Sequence, residues 1–144
     1  MKKRVLIIHG PNINLLGERE PGIYGSESIE QINKDIVLAA EDLNIQTEIF
    51  QSNIEGEIIN KLHEGRTLFD AVVLNVGALT HYSYAIRDAI AAVRIPCFEV
   101  HLSNIYARED FRKVNVIAPV CCGSICGLGK QGYILALHAI AKYK

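Results

Sequence analysis

The sequence predicts an α/β protein: an open parallel sheet of about five strands covered by helices on both faces. Two observations carry that prediction. Short apolar runs of strand length alternate with helical stretches along all 144 residues, giving about five βα-type units. No linker, repeat or low-complexity stretch divides the chain, and 49% hydrophobic residues suit one compact domain, residues 1–144, with a real core.

The elements follow in order. RVLIIH (4–9) is the first strand. ESIEQINKDIVLAAEDL (27–43) is a helix, with Ile29, Ile32, Ile36 and Leu43 on one stripe and Ser28 with Gln31 as a capping box at its start. IQTEIFQS (45–52) is the second strand and EGEIINKLHEG (55–65) the next helix. AVVLNVG (71–77) is the third strand, SYAIRDAIAAV (83–93) the helix after it, and CFEVHL (97–102) the fourth strand. SNIYAREDFRK (103–113) allows only a short helix before VNVIAPV (114–120), read as the fifth strand, and KQGYILALHAIAKY (130–143) closes the chain as a helix. At this length a flavodoxin-like strand order is expected, with ligands bound beyond the carboxyl ends of the strands. The segments to search are therefore 10–25, 51–56, 75–83, 101–112 and 121–132.

Bulk properties exclude several classes of function. A net charge of −1 leaves no basic stripe to follow a phosphate backbone, so no nucleic-acid partner is expected. The longest apolar runs are strand-sized, too short to span a membrane, and the run after the basic start is too brief for a signal peptide. A cytoplasmic protein is expected. Its four cysteines, Cys97, Cys121, Cys122 and Cys126, are then thiols. A zinc site would need further ligands at suitable spacing, and His138 is poorly placed to be one, so small buried cysteines are the favoured reading.

Three motifs tempt and fail. GLGKQG (127–132) fits G-x-G-x-x-G, but too little chain follows for the further strand and acid some ~20 residues on that a dinucleotide fingerprint needs. Close helix–strand packing through glycine is the better reading. Lys130 is followed by Gln131, so a Walker A motif is absent, and Asn75 stands where a phosphate-accepting receiver needs aspartate. No lysine sits at a persuasive strand end for Schiff-base chemistry, and carboxylates and histidines do not cluster as a metal site.

What remains at the predicted ligand edge is Asn12, Arg19, Tyr24, Asn75, His81, His101, Ser103, Arg108 and Arg112. Singly, each has an ordinary explanation. Asn12 and Asn75 suit turns, Tyr24 suits a half-buried loop aromatic, and Arg19 suits a solvated charge between Glu18 and Glu20. His81 suits a helix cap and His101 a satisfied core histidine. Together on one sheet edge they favour a small-molecule site with acid–base chemistry.

Four blocks then carry a specific resemblance: HGPNINLLGEREPGIYG (9–25), QSNIEGEIINKLHE (51–64), LNVGALTHYSYAIRDAI (74–90) and FEVHLSNIYAREDFR (98–112). In order and over nearly the whole chain, they resemble the motif blocks of type II 3-dehydroquinate dehydratase. Val76 stands where many members have proline and Leu79 where many have tyrosine, departures that bear on the shape of one loop. The tail around Cys121–Cys126 is less family-like. The resemblance implies dehydration of 3-dehydroquinate to 3-dehydroshikimate by anti elimination through an enolate, without a cofactor or metal. It also implies a flavodoxin-like subunit assembled as trimers into a dodecamer.

Under that resemblance Tyr24 is the base, as tyrosinate, and Arg19 the cation that brings its ordinary pKa of ~10 within reach. His101 protonates the leaving hydroxyl and Glu99, two residues earlier and so on the same strand face, fixes the imidazole. Asn12 holds water or the carbonyl oxygen where enolate charge develops. The family pattern gives the substrate carboxylate to Asn75 and the backbone N–H groups of Leu102 and Ser103, and the ring hydroxyls to His81 and Arg112. Asp88 contributes across a subunit boundary, and Arg108 lies near the active-site loop. Residues 9–25 then form a catalytic lid, closing on Gly17, Gly22 and Gly25. The competing reading is a non-catalytic flavodoxin-like module that binds a small anion at the start of the last helix, with Arg19 and Tyr24 dispensable.

Overall fold

The computed structural model describes residues 1–18, 20–24 and 26–144, with Pro21 and Tyr24 described by backbone alone. Five strands, β1 (Lys3–His9), β2 (Ile45–Gln51), β3 (Ala71–Asn75), β4 (Cys97–His101) and β5 (Gly123–Cys126), form one parallel sheet in the order β2-β1-β3-β4-β5. That order is flavodoxin-like. The helices are a short α1 (Pro21–Tyr24), then α2 (Ile29–Asp42), α3 (Glu55–Gly65), α4 (Tyr84–Val93) and α5 (Gln131–Lys142). Among the described residues, no helix is long and apolar enough to cross a membrane.

The central strand shows how the sequence sets the layers. Val5, Leu6, Ile7 and Ile8 are all fully buried. Val5 and Ile7 join the core beneath α2 and α5, whereas Leu6 and Ile8 join the core beneath α3 and α4. A strand whose successive side chains point to opposite faces must be apolar throughout when both faces are covered. The same alternation sends His9, the last residue of β1, toward the α2 and α5 layer. On α2 the buried stripe is Ile29, Ile32, Ile36 and Ala40, with Leu43 packed partly buried against its end. Ser28 Oγ accepts from the Gln31 N–H at 3.2 Å and so caps the helix as expected.

The fifth strand is a correction. VNVIAPV (114–120) is not a strand; β5 is GSIC, paired to β4 from Phe98↔Gly123 to His101↔Cys126. Asn115 is the cause. Its Oδ1 accepts from the N–H groups of Ile117 and Ala118, both at 2.9 Å, and this local turn competes with an extended ladder. Pro119 then sits in a short 3-10 turn, Ala118–Val120. The link read as one short helix holds two 3-10 turns, Ile105–Ala107 and Asp110–Lys113. The cysteines need a partial correction as well. Cys97 is buried, Cys121 and Cys126 are half-buried, and Cys122 is exposed. Burial raises the Cys97 thiol from 9.0 to about 12, with Cys122 adding to the effect, so this sulfur stays protonated.

Two glycines bring the ligand edge together. A Cβ on Gly10 would lie 2.6 Å from Val76 Cα, so only glycine lets the turn after β1 lie against the turn after β3. Gly132 plays the packing role expected of GLGKQG: its missing Cβ would lie 3.0 Å from Val100 Cγ1, seating α5 on β4.

Candidate active site

Beyond the carboxyl ends of β1, β3 and β4 lies a cavity of about 130 Å³, lined among others by Asn12, Asn75, His81, His101, Leu102, Ser103, Arg108 and Arg112. Asn12 is a turn residue as well as a lining one. It adopts a left-handed φ of 69°, and its N–H donates to Asn53 Oδ1 at 2.9 Å. Gln51 Nε2 donates to Gly10 O at 3.2 Å, so the end of β2 supports this turn from outside the cavity.

His101 ends β4, 5% exposed, with Glu99 two residues earlier and fully buried. Nε2 of His101 lies 3.4 Å from Glu99 Oε1, close enough for electrostatic attraction but outside hydrogen-bonding geometry. The same carboxylate oxygen accepts from Asn115 Nδ2 at 2.8 Å and Ser124 Oγ at 2.5 Å. Burial alone would raise the Glu99 pKa. The positive character of His101 and the hydrogen bonds from Ser124 and Asn115 outweigh it and hold the carboxyl below its ordinary value. The Asn115 that breaks the expected strand therefore fixes the partner of His101.

His81 is 9% exposed and donates from Nδ1 to Val114 O at 2.8 Å, which leaves Nε2 for the cavity. Burial lowers its pKa; the Val114 carbonyl opposes this and the nearby His101 and Arg112 add to it. Phe111 braces this wall, edge-on to His81 with ring centroids 5.7 Å apart and beneath the Arg112 guanidinium at 4.7 Å. Arg112 Nε donates to Glu109 Oε2 at 3.0 Å, and Arg108 donates to Ser103 Oγ at 3.1 Å. The N–H groups of Leu102 and Ser103 donate to no acceptor among the described residues, leaving two adjacent backbone donors at the end of β4.

Behind the cavity runs a polar chain that sequence reasoning missed. His9 is fully buried, its Nε2 2.8 Å from Asn33 Oδ1 on α2 and its Nδ1 3.1 Å from the Tyr133 hydroxyl on α5. Asn75 Nδ2 donates to that hydroxyl at 3.1 Å, and Asn75 Oδ1 accepts from the Gly77 N–H at 3.2 Å. A histidine closing an apolar strand was the available signal. Its partners lie 24 and 124 residues away, where no local pattern links them. Burial pushes the His9 pKa from 6.5 down to about 4, against the raising effect of Asn33. The native state therefore holds His9 neutral where the unfolded chain binds a proton. Stability is complete above the unfolded value of 6.5 and declines as pH falls toward 4, by about 3 kcal/mol for this group. Urea unfolding followed across that range checks it; stability unchanged between pH 7 and pH 5 would contradict a neutral buried His9.

Of the residues expected at the site, Asn12, Asn75, His81, His101, Leu102, Ser103, Arg108 and Arg112 converge, with Glu99 directly behind His101. His81 does not cap α4: that part belongs to Ser83, whose Oγ accepts from the Ile86 N–H at 3.0 Å. Asp88 is exposed on α4 and does not line the cavity. Arg19 lies outside the described residues, as do Gly25 and the side chain of Tyr24, whose backbone ends α1. Gly17 has φ of 90°, as a turn glycine should. The departures at Val76 and Leu79 are both buried apolar side chains in the turn after β3. At the start of α5, Lys130 Nζ contacts both oxygens of Glu27, at 2.8 and 2.9 Å, and Asp35 Oδ2 at 2.8 Å. Two carboxylates already satisfy that cation, which opposes an anion site there.

The family model for class II dehydroquinase matches residues 3–141. The chain belongs to the class II dehydroquinase family. Two relatives named 3-dehydroquinate dehydratase, from Pelotomaculum thermopropionicum and Halothermothrix orenii, are 56% and 57% identical to it. The first alignment covers 96% of both chains, the second 95% of this chain and 93% of the relative. The crystal structure of type II dehydroquinase from Butyrivibrio crossotus superposes with a TM-score of 0.95 at 48% identity, covering 96% of this chain and 97% of that one. That from Propionibacterium acnes gives 0.94 at 38%, covering 99% of both.

Proposed function

We propose that this class II dehydroquinase converts 3-dehydroquinate to 3-dehydroshikimate, acting as one catalytic domain over residues 1–144. The observation that carries the reading is the convergence of Asn12, Asn75, His81, His101, Ser103 and Arg112 on one cavity at the carboxyl edge of the sheet. The reaction needs a base beside a ketone and an acid at a hydroxyl. Tyr24, ionised beside Arg19, removes the proton; the C–H electron pair passes into an enolate whose oxygen is held through Asn12. The enolate then collapses, the C–O bond breaks, and His101 gives its proton to the departing hydroxyl, releasing water and a conjugated enone. No electron acceptor or external electrophile enters that balance.

The substrate's carboxylate suits Asn75 and the paired N–H groups of Leu102 and Ser103, and its ring hydroxyls suit His81 and Arg112. Glu99 fixes the orientation of the His101 imidazole, and Arg108 acts beside the lid formed by residues 9–25. Asp88, exposed on α4, reaches a neighbouring subunit's site, which requires the trimer-based dodecamer. The enzyme works in the cytoplasm, in aromatic biosynthesis or quinate breakdown. The purified protein mixed with 3-dehydroquinate should develop the absorbance of the conjugated enone. A flat trace from folded protein sinks the reading.

A further inference from the structure

The hydrogen-bond directions in the buried chain behind the cavity are fixed by chemistry. The Asn75 amide nitrogen only donates, so the Tyr133 hydroxyl accepts there and must send its own proton elsewhere. The remaining neighbour is His9 Nδ1 at 3.1 Å, which therefore carries no proton and accepts. His9 then bears hydrogen on Nε2 and donates it to Asn33 Oδ1 at 2.8 Å. At the other end, the Gly77 N–H fixes Asn75 Oδ1, so the amide cannot be turned over without setting two donors against each other. Only one arrangement gives each of these contacts a donor and an acceptor, and it leaves over the second N–H of Asn75. Tyr133 and His9 are fully buried and Asn75 is 3% exposed, so the bonds of the Tyr133 hydroxyl are shielded from solvent. Adjacent pairing of His9 and Asn75 across β1 and β3 anchors both ends on the sheet.

We propose that Tyr133 is a positioning residue: its hydroxyl, oriented by His9 and Asn33, holds the Asn75 amide so that its second N–H faces the cavity and receives the substrate's anionic group. This rests on reading the cavity as the dehydroquinate site. Asn75 has two amide protons, and Tyr133 takes one, leaving a single donor in a defined direction. A donor of this kind grips ground state and transition state alike, so its loss raises KM and spares kcat.

Steady-state kinetics of Tyr133→Phe test it. KM should rise roughly 3–10-fold, the worth of one hydrogen bond, with kcat within about two-fold. In an Asn75→Ala background the same substitution should change KM by less than about two-fold, because Tyr133 acts only through that amide. Penalties that multiply in the double variant, or an unchanged KM in the single one, overturn the proposal. Nitrogen-15 NMR of histidine-labelled, unsubstituted enzyme reads the chain without any substitution, and decides the matter should Tyr133→Phe not fold. The His9 ring should be neutral with its proton on Nε2, and a proton on Nδ1 overturns the arrangement. Absence of turnover in the unsubstituted enzyme strikes the functional reading instead, and leaves the positioning proposal to be decided by the tautomer alone.

Discussion

His101→Ala lowers turnover by roughly 10²–10⁴-fold, the usual worth of a positioned general acid. The change leaves Glu99 buried without its neighbouring imidazole and with Oε2 unpartnered, so it should cost stability, but Oε1 stays held and the fold should persist. Glu99 keeps its hydrogen bonds from Asn115 at 2.8 Å and Ser124 at 2.5 Å, and the strand keeps its pairing to β5. Loss of rate should therefore come with an unchanged circular dichroism spectrum. Glu99→Gln is the informative companion. It keeps the shape of the side chain and removes the negative charge 3.4 Å from His101 Nε2, so turnover should drop by less than in His101→Ala. Near-normal turnover in folded His101→Ala protein would reduce His101 to a buried polar residue with no chemical part.

Four strands, the four long helices and the sheet order were legible in the sequence because their signals are local. Apolar periodicity marks each element, and Ser28 announces a helix start that the structure uses, whereas the cap of α4 falls to Ser83 and not to His81 as expected. The fifth strand was not legible. GSIC is short and edge-placed, with weak strand propensity, whereas VNVIAPV has strong propensity but spends Asn115 on a turn and on Glu99. Packing against β4 decided between them, and no single window records that. The site divides in the same way. Polar residues at the strand ends could be read from the fold rule plus their chemistry, and seven of them converge, with Leu102 added by the family resemblance. His9 and Tyr133 could not be read so. Each is an ordinary core residue until the other is placed beside it, and the contact joins the first strand to the last helix.

Tyr24→Phe removes one hydroxyl from the loop between β1 and α2 and should abolish most turnover, again by roughly 10²–10⁴-fold, while substrate affinity stays within a few-fold. The expectation follows from the chemistry of the other groups. The cavity wall supplies an imidazole beside a buried carboxylate, amides and guanidinium groups, which donate protons or hold charge. His101 is kept as the acid, and His81, which donates its Nδ1 proton to Val114 O and keeps a lone pair on Nε2, is a weak base because burial lowers its pKa. The proposed base is Tyr24 as tyrosinate, a far stronger base than that imidazole or the loop carboxylates. An ordinary tyrosine, with pKa ~10, is too rarely ionised near neutrality, so the proposed compensating charge is that of Arg19. Arg19→Ala should then raise the pH at which activity appears and delay the growth of tyrosinate absorbance attributable to Tyr24. Arg19→Lys should recover part of the rate, since charge returns without the planar fork. Single-turnover kinetics separate these effects from substrate binding and product release. A folded Tyr24→Phe enzyme with unimpaired single-turnover chemistry would leave the proposed elimination without its base, and the search for one would move to His81, the remaining imidazole at the cavity.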